Sequence, residues 1–456
     1  MIFKSLCRDA EIGANSYLLQ GERSRIVLDA GMHPKQEGKD AIPRFDWLED
    51  GTVDGVVITH SHLDHVGTLP VLMERQNRAR IYSTEPTFDL MCAMLHNSVN
   101  VMSSKRSEHG IVEYPLFDHG DIDQLKDWVV TPKLEKRFEL DPQGEMMGTF
   151  YDAGHILGSV GALIEANDKK VFYSGDVNFE PTTLQCGAQF PEFEDGELDA
   201  LIVETTRGES PRKAHYNRQD EENHFADCIQ KVLQRKGSVL IPVFAMGKTQ
   251  EVLGMLHRFK GEGRVANDAP VYIGGLSTKM THIYDRHCDT PRRQMSGFRF
   301  LKDMEIEGTG RRRKGPIPFH NGCIYALSSG MMTERTVSHQ FASQGVLENK
   351  KHGIFFVGYC DPATPGARIK HAAQGDMVSL EEKGLQVKLR CETREFDFSG
   401  HSTRDAILDY ILKVRPKKTL LVHGDTGALE WFRAQLAEKL PSSEVVIPEP
   451  GVEVQI

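Results

Sequence analysis

The sequence lacks any run of about 18 apolar residues, the length that a membrane-spanning helix needs. Its start, MIFKSLCRDAEIGANSYLL, also lacks a basic segment followed by an apolar one and a small-residue cleavage site, so we expect no secretory leader. Both absences argue against a membrane or secreted protein. We predict a cytoplasmic one.

The chain also has few cysteines and no excess of basic residues. The eight cysteines are scattered without a CxxC pair, which excludes a dense disulfide framework and predicts that any metal site uses histidine and carboxylate ligands. The formal net charge of −10 excludes a protein coated in basic surface. Any nucleic-acid contact must therefore come from a local basic groove.

The chain has 456 residues, of which 39% are hydrophobic, and this length suggests two or three soluble domains. Short apolar runs such as RIVLDAG, DGVVITH and KVFYSGD predict strands, with helix-like stretches between them. After Glu204 the pattern becomes strand, Gly-containing turn and helix, which is typical of a parallel βαβ layer. The sequence predicts a mixed α/β fold.

The stretch VVITHSHLDHVGTLP crowds three histidines and an aspartate into six positions after a β-branched run. In an extended loop, residues two apart point the same way, so His60 and His62 can bind one cation together. Asp64 and His65 lie where the chain turns into a helix and are placed for a second cation. Imidazole and carboxylate together suit zinc.

Four ligands cannot complete two sites, so this hypothesis requires more histidines or aspartates at other strand ends. His155 in YDAGHILGS, Asp176 in VFYSGDVN and His423 in LLVHGD meet that requirement. An aspartate between two cations can bridge them, and two metals can share a hydroxide nucleophile at neutral pH. Asp29, at the end of RIVLDAG, can orient a ligand histidine. Unrelated surface histidines on separate loops are the alternative.

These residues resemble the metallo-β-lactamase superfamily, whose HxHxDH motif is matched by His60, His62, Asp64 and His65. The resemblance implies an αββα sandwich that binds two Zn²⁺ ions, with Mn²⁺ accepted by the same kinds of ligand. It also implies the ligand sets: His60, His62 and His155 for one ion, Asp64, His65 and His423 for the other, and Asp176 as the bridge.

The later segments LDALIVETTRGES, IPVFAMGKTQEVL, SSGMM, FDFSGHSTRD and LLVHGD resemble the β-CASP group of nucleases within that superfamily, over nearly the whole chain. In this group a parallel α/β domain is inserted into the sandwich and the active site lies in the cleft between them. We therefore predict a metallo-β-lactamase domain over residues 1–204, a β-CASP domain over 205–394, and completion of the first domain over 395–456.

Within the group, the sequence is most similar to the endonuclease of pre-mRNA 3′-end cleavage and its compact prokaryotic relatives. Ribonuclease J, another member, carries an additional C-terminal domain, of which we expect no counterpart. The resemblance places Glu204, His401 and His423 at the group's three further acidic, histidine and histidine positions. A histidine at the last of them marks members that act on RNA, and a valine marks members that act on DNA.

The expected function is therefore hydrolysis of phosphodiester bonds in single-stranded RNA. We expect Asp64 to act with the metals and His401 to protonate the leaving ribose oxygen. Glu204 then holds the tautomer of His401 by a hydrogen bond. An ordinary buried ion pair is the alternative for these last two residues. A homodimer is left open.

Three further segments are candidates for contact with RNA. Lys248, Ser328, Ser329 and Gly330 lie at predicted strand-to-helix turns, where backbone amides can bind phosphate, although simple turns explain them equally well. Arg311 and Arg312 in TGRRRKG can attract the RNA backbone or form a solvated loop. A separate segment, HYNRQDEENHF, contains His215, Arg218 and Glu222 and resembles the stretch that follows the acidic residue in the group; residues of a surface helix are the alternative.

The chain departs from the group at two places. GYCDPATPGARIKH replaces a GT-GR type turn, so phosphate contact there can differ. Ser402 and Thr403 follow His401 in place of a small residue and aspartate, which leaves the support of His401 to be established. The competing functions are cleavage of DNA, hydrolysis of a small ester or thioester, and a non-catalytic assembly subunit. A subunit of that last kind usually loses metal ligands, whereas none is lost here.

Overall fold

The computed structural model of the protein describes residues 1–307, 317–381, 384 and 386–456. By their internal contacts these residues form two compact units. The first comprises residues 1–181, 187–212 and 401–456, and we call it the sandwich unit. The second comprises residues 182–186 and 213–400, and we call it the inserted unit.

The strands in chain order are β1 (Ile2–Ser5), β2 (Tyr17–Gln20), β3 (Arg25–Leu28), β4 (Gly55–Val57), β5 (Arg80–Tyr82), β6 (Val129–Val130), β7 (Arg137–Glu139), β8 (Met147–Asp152), β9 (Val160–Ala166), β10 (Lys169–Tyr173), β11 (Ala200–Glu204), β12 (Val239–Pro242), β13 (Val271–Tyr272), β14 (Ile306–Glu307), β15 (Ile324–Leu327), β16 (Gly353–Phe356), β17 (Met377–Ser379), β18 (Gln386–Lys388), β19 (Glu392–Glu395), β20 (Lys418–Val422), β21 (Glu444–Val446) and β22 (Glu453–Gln455). The helices are α1 (Leu63–Val66), α2 (Leu69–Arg75), α3 (Glu85–His109), α4 (His119–Gln124), α5 (Arg218–Gln234), α6 (Lys248–Gly261), α7 (Leu276–Arg286), α8 (Phe300–Asp303), α9 (Val337–Phe341), α10 (Pro365–His371), α11 (Arg404–Val414) and α12 (Thr426–Lys439).

The sandwich unit is built from two sheets. The first has the order β22-β1-β2-β3-β4-β5-β6, and the second has the order β21-β20-β11-β10-β9-β8-β7. Apolar side chains from both sheets share one buried core, among them Phe3, Leu28, Ile164, Ile202 and Leu420. Each large side chain of this kind contributes about 1.5–3 kcal/mol when it leaves water, so this core holds the two sheets together.

Helices cover the outer faces of both sheets. A second buried cluster joins Val27, Val56 and Ile81 of the first sheet to Leu72 of α2 and Leu95 of α3. A third joins the second sheet to α11 and α12 through Leu201, Leu421, Ile407 and Phe432. The layer order is therefore helix, sheet, sheet, helix.

The inserted unit contains a sheet in the order β14-β13-β15-β12-β16-β19, in which all of these neighbouring strands run parallel. Its strands are buried apolar runs, such as Val239–Pro242 and Ile324–Leu327, as expected for a parallel sheet that is covered on its faces. The helices α5, α6 and α7 alternate with these strands along the chain.

The prediction of an α/β sandwich with an inserted parallel α/β domain is confirmed. The predicted boundaries at residues 204/205 and 394/395 stay a prediction of domain organisation. Among the described residues, no helix combines the length and the apolar character needed to cross a bilayer.

Candidate metal centre

The candidate ligands lie where strands of the sandwich unit end. In the second sheet β8 is antiparallel to β9 and β9 to β10, while β10, β11 and β20 are parallel, so four strands run in the same direction. Their carboxyl ends therefore meet at one edge of the sheet. The residues at or just after these ends are His155, Asp176, Glu204 and His423.

The HxHxDH segment follows β4 of the first sheet. His60 and His62 lie in the extended stretch before α1, and Asp64 and His65 lie in the first turn of that helix. The backbone is tightly packed here, because a Cβ atom on Gly31 would lie 1.8 Å from the carbonyl oxygen of Asp64. Only glycine at position 31 allows this approach.

His60, His62, His155 and Asp176 form the first ligand group, in which one ligand atom from each residue lies within 4.8 Å of all the others. His62 Nδ1 lies 3.1 Å from His60 Nε2 and 3.2 Å from His155 Nε2. Ligand nitrogens bound at about 2.0–2.1 Å to one tetrahedral ion are separated by about 3.3 Å. The spacing of the three nitrogens fits that geometry.

Asp64, His65 and His423 form the second ligand group. Asp64 Oδ2 lies 3.9 Å from the Nε2 atoms of both His65 and His423. Asp176 faces both groups, one oxygen to each. Its Oδ2 lies 3.4 Å from His60 Nε2 and 3.7 Å from His155 Nε2, whereas its Oδ1 lies 3.3 Å from His65 Nε2 and 3.4 Å from His423 Nε2. This is the arrangement that a bridging carboxylate needs.

One buried atom tests whether these residues fit a metal. Asp176 is 2% exposed, yet its Oδ1 makes no hydrogen bond with the described protein atoms. A buried carboxylate oxygen without a partner costs free energy unless a cation or another group satisfies it. The donor set of imidazole nitrogens and carboxylate oxygens is the one that Zn²⁺ and similar divalent ions prefer. The site fits a pair of such ions.

The electrostatics of the cluster favour bound cations. Burial lowers the pKa of His60 well below its ordinary value and lowers that of His62 to about 4, so both imidazoles are neutral at pH 7 and keep a lone pair. Burial also opposes a charge on His65, but the carboxylates of Asp176, Asp29 and Asp64 outweigh it and raise the pKa of His65 well above its ordinary value. The negative charge that favours a proton there equally favours a metal ion.

Asp29 supports both ligand groups from behind. It follows β3 in a left-handed backbone conformation (φ 58°) and is fully buried. His65 Nδ1 lies 2.8 Å from Asp29 Oδ2, to which Thr59 Oγ1 also donates at 2.8 Å. Because that hydroxyl proton is used, Thr59 accepts a hydrogen bond from His60 Nδ1 at 3.2 Å. Both histidines then carry the proton on Nδ1 and turn Nε2 toward the ligand groups.

His401 and Glu204 lie beside the ligand groups. His401 Nδ1 is 3.1 Å from Glu204 Oε1, and its Nε2 is 3.9 Å from Asp176 Oδ2. Burial disfavours the imidazolium, but Glu204 and Asp176 outweigh this and raise the pKa of His401 to about 9. Bound cations would lower this pKa again, because positive charge disfavours the imidazolium. The side chain of His401 keeps 24% of its surface exposed, so a substrate can reach it.

Ser402 and Thr403, the two departures from the group pattern, support this region. Phe179 N donates to Ser402 Oγ at 2.8 Å, and Ser402 N donates to Val177 O at 2.8 Å. Thr403 accepts a hydrogen bond from Ala406 N and caps α11. The segment after His401 is therefore fixed to the segment after Asp176.

The predicted RNA contacts belong to the inserted unit. Lys248 is the first residue of α6, and its Nζ donates to the carbonyl oxygen of Phe398. Ser328, Ser329 and Gly330 follow β15, where Ser338 N donates to Ser328 O and Ser338 Oγ donates to Ser329 O. Contact of these residues with RNA stays a prediction. Arg311 and Arg312 lie outside the described residues.

Arg218 and Glu222, for which residues of a surface helix are the alternative to a functional role, lie in the first turns of α5. The side chain of Glu222 is 5% exposed, and Arg218 donates to both Glu222 and Glu251. The Arg218 guanidinium also lies 4.6 Å from the ring centre of Phe398. These residues form an ionic cluster in which the carboxylates are buried and the Arg218 side chain is 24% exposed.

The sequence reasoning overlooked Asn15. This residue is 1% exposed and lies 3.0 Å from His423 Nδ1 through its Oδ1. It stands in GANSYLL, a stretch that contains no spacing or residue pair typical of a metal site. Only the contact across 408 positions in the sequence reveals it.

Three family models match the chain. They are the metallo-β-lactamase superfamily over residues 10–207, the β-CASP domain over 249–369, and the Zn-dependent metallo-hydrolase RNA specificity domain over 386–448. Together they cover the segments that supply the candidate ligands.

Two curated relatives and one solved structure extend this likeness. Cleavage and polyadenylation specificity factor subunit 3 of Dictyostelium discoideum is 27% identical over 461 residues, aligned with 98% of this chain and 56% of its own length. Endoribonuclease ysh-1 of Neurospora crassa is 26% identical over 467 residues, aligned with 96% of this chain and 53% of its own length. The chain thus spans little more than half of either relative. A crystal structure of a protein of unknown function from Enterococcus faecalis V583 shares the fold, with a TM-score of 0.57 and 12% identity over 100% of this chain and 99% of that one.

Proposed function

Since the chain belongs to the β-CASP group of the metallo-β-lactamase superfamily, we propose that it is a two-zinc ribonuclease that hydrolyses phosphodiester bonds in single-stranded RNA. One observation carries the proposal. Seven histidine and aspartate side chains from distant segments converge in two ligand groups that share the carboxylate of Asp176. Manganese is the alternative metal, because it accepts the same ligands.

In this proposal the protein holds the metals and the scissile phosphate together. His60, His62 and His155 would hold one ion, Asp64, His65 and His423 would hold the other, and Asp176, which faces both groups, would contribute to each. When bound, such a pair lowers the pKa of water and neutralises the charge that develops on the non-bridging phosphate oxygens. The residues around it fix the ligand nitrogens through Asp29 and exclude bulk water by burial.

His401 supplies the proton that the leaving ribose oxygen needs when the P–O bond breaks. Glu204 engages Nδ1 of His401, and Nε2 lies on the side of the ligand groups, 3.9 Å from Asp176 Oδ2. Glu204 Oε1 also accepts a hydrogen bond from Val177 N at 2.8 Å, which fixes the carboxylate itself. Glu204 thus orients His401 and stabilises its imidazolium.

RNA is favoured over other substrates by the relatives and by one residue. One relative is named an endoribonuclease, and a matching family model is described as an RNA specificity domain. By the resemblance described above, His423 marks members that act on RNA. Cleavage of a small ester or thioester is less favoured, since simpler members of the superfamily lack the inserted domain with its flanking Glu204 and His401.

The test combines metal analysis with cleavage of single-stranded RNA labelled at its 5′ or its 3′ end. We expect purified wild-type protein to contain two equivalents of zinc and to cut the RNA, whereas Asp64→Ala loses zinc and cleavage together. Fragments of intermediate length indicate internal cutting, and release of single labelled nucleotides indicates cutting from an end. A single-stranded DNA of the same sequence is the matched substrate control.

The proposal fails if wild-type protein with two equivalents of zinc leaves both labelled RNAs intact while it hydrolyses a thioester. Cleavage of the DNA and not of the RNA would equally overturn it, in favour of a DNA-directed nuclease.

A further inference from the structure

We propose that Asn15 is a positioning residue that fixes the tautomer of His423 and so completes the second ligand group. This inference rests on the proposed two-metal centre. Asn15 lies between β1 and β2 of the first sheet, whereas His423 follows β20 of the second. The two residues meet across the core of the sandwich unit.

The orientation of the Asn15 amide follows from one partner that can only accept, and a second partner is compatible with it. Asn15 Nδ2 lies 3.0 Å from the backbone carbonyl oxygen of Asp64, which can only accept a hydrogen bond. The hydroxyl of Tyr17 donates to the other amide atom, Oδ1, at 3.1 Å. The nitrogen therefore faces Asp64 and the oxygen faces His423.

The amide orientation decides which nitrogen of His423 carries the proton. Asn15 Oδ1 lies 3.0 Å from His423 Nδ1 and can only accept, so Nδ1 must be the protonated nitrogen. Nε2 then keeps its lone pair and faces the second ligand group, 3.4 Å from Asp176 Oδ1. A histidine protonated on the opposite nitrogen could not bind a metal through Nε2.

Asn15 also fixes the segment that carries the other two ligands. Its backbone N–H and its Nδ2 both donate to the carbonyl oxygen of Asp64, at 2.9 and 3.0 Å. Nδ2 lies 3.2 Å from His65 Nε2 as well. One side chain thus contacts all three residues of the second group.

The first ligand group depends on different supports. His60 is held through Thr59 and Asp29. Loss of the Asn15 amide should therefore affect the two metals unequally. A residue that only contributes to packing should affect the binding of both metals, whereas a positioning residue of the second group should affect mainly one.

The experiment measures stepwise binding of Zn²⁺ to metal-depleted protein by competition with a chelator. For Asn15→Ala we expect the first equivalent to bind as in wild type and the affinity for the second to fall about 10–100-fold. Co²⁺ can replace Zn²⁺ as a visible probe. When Asn15→Ala is loaded with two equivalents of Co²⁺, its visible spectrum should lack the absorption bands of one of the two sites.

Asn15→Asp separates the two contacts, since one of its oxygens still accepts the Nδ1 proton of His423 while the other replaces the Nδ2 donor to Asp64. It should bind the second equivalent more tightly than Asn15→Ala does. The matched control is Gln76→Ala, because Gln76 is a fully buried amide of the same unit that accepts hydrogen bonds from Thr52 N and Val53 N. This control should lower thermal stability and leave both zinc affinities unchanged.

The inference is wrong if Asn15→Ala binds the second zinc equivalent as tightly as wild type does. It is also wrong if Asn15→Ala loses both equivalents to the same extent. A third contrary result would be an Asn15→Asp variant that binds the second equivalent no more tightly than Asn15→Ala. These outcomes are independent of the proposed activity. A wild-type protein that binds two zinc ions and cuts no RNA would refute the proposed ribonuclease and leave the role of Asn15 open to the same measurement.

Discussion

Each unit contains a buried cluster of charged side chains, and the two clusters differ in how their charges are satisfied. In the inserted unit, Arg218 pairs with Glu222 and Glu251, and Arg258 donates to Glu222 as well. Glu251 also accepts hydrogen bonds from Thr183 N and Leu184 N. Each carboxylate oxygen of Glu222 and Glu251 therefore accepts at least one hydrogen bond from the protein.

In the sandwich unit, the carboxylate of Asp176 faces imidazoles, and its Oδ1 has no hydrogen-bond partner among the described residues. Burial alone raises the pKa of Asp176, yet His65, His423 and His60 together hold it well below its ordinary value. The comparison teaches that burial of charge alone does not mark a site. A cluster in which protein groups leave an oxygen unsatisfied is the one that fits a ligand.

The largest expected effect is that of Asp176→Asn on RNA cleavage. This change removes the charge that both ligand groups share, so we expect loss of both zinc equivalents and a decrease in cleavage of about 10³-fold or more. Metal content and initial cleavage rates measure the two effects.

The matched control for Asp176→Asn is Asp199→Asn. Asp199 is a buried carboxylate of the same unit, but it lies 3.0 Å from the ammonium groups of both Lys169 and Lys417. We expect this control to keep two zinc equivalents. Full zinc content in Asp176→Asn would contradict its place in both ligand groups.

The next largest effect is expected for His401→Gln. Loss of the proton donor should decrease cleavage about 10²–10⁴-fold while both zinc equivalents remain. A substrate whose leaving group needs no proton, such as a nitrophenyl phosphodiester, should be cleaved almost as fast by the variant as by wild type. Loss of zinc from His401→Gln would instead indicate that His401 is a metal ligand. The control variant is His352→Gln, which replaces a buried histidine of the inserted unit.

The smallest effect on RNA cleavage is expected for Arg218→Met, which changes the ionic cluster of the inserted unit. Removing the guanidinium leaves Glu222 and Glu251 buried with fewer positive partners, so the free energy of unfolding should fall by about 3–5 kcal/mol. Below the unfolding transition, zinc content and cleavage should stay close to those of wild type. A folded variant that loses zinc would show that the ionic cluster acts on the metal centre.

The sequence predicted the α/β fold and the positions of the candidate ligands because both depend on local patterns. His60, His62, Asp64 and His65 follow one strand within six positions, and His155, Asp176 and His423 each stand at a strand end. The carboxyl ends of strands that run the same way meet at one edge of a sheet. Placement at strand ends therefore suggested the candidate ligands, and the resemblance to the metallo-β-lactamase superfamily implied how they group around two ions.

The burial of Arg218 and Glu222 could not be read from their helix. Residues 217–224 of HYNRQDEENHF are all polar, which is typical of a solvated face. Its partners Glu251 and Phe398 lie 33 and 180 positions farther along the chain, and only their packing against Arg218 removes the charges from water.

The sequence by itself determined which side chains can bind a metal, because that depends on residue type and on their place at strand ends. Only the tertiary structure decided which nitrogen of each histidine carries the proton and which oxygen of Asp176 faces which group. The choice of nitrogen in His65, His60 and His423 depends on single hydrogen bonds that Asp29, Thr59 and Asn15 accept, residues brought into contact by the packing of two sheets. Hydrogen bonds depend on distance and direction within a few tenths of an ångström, which no pattern along the chain specifies.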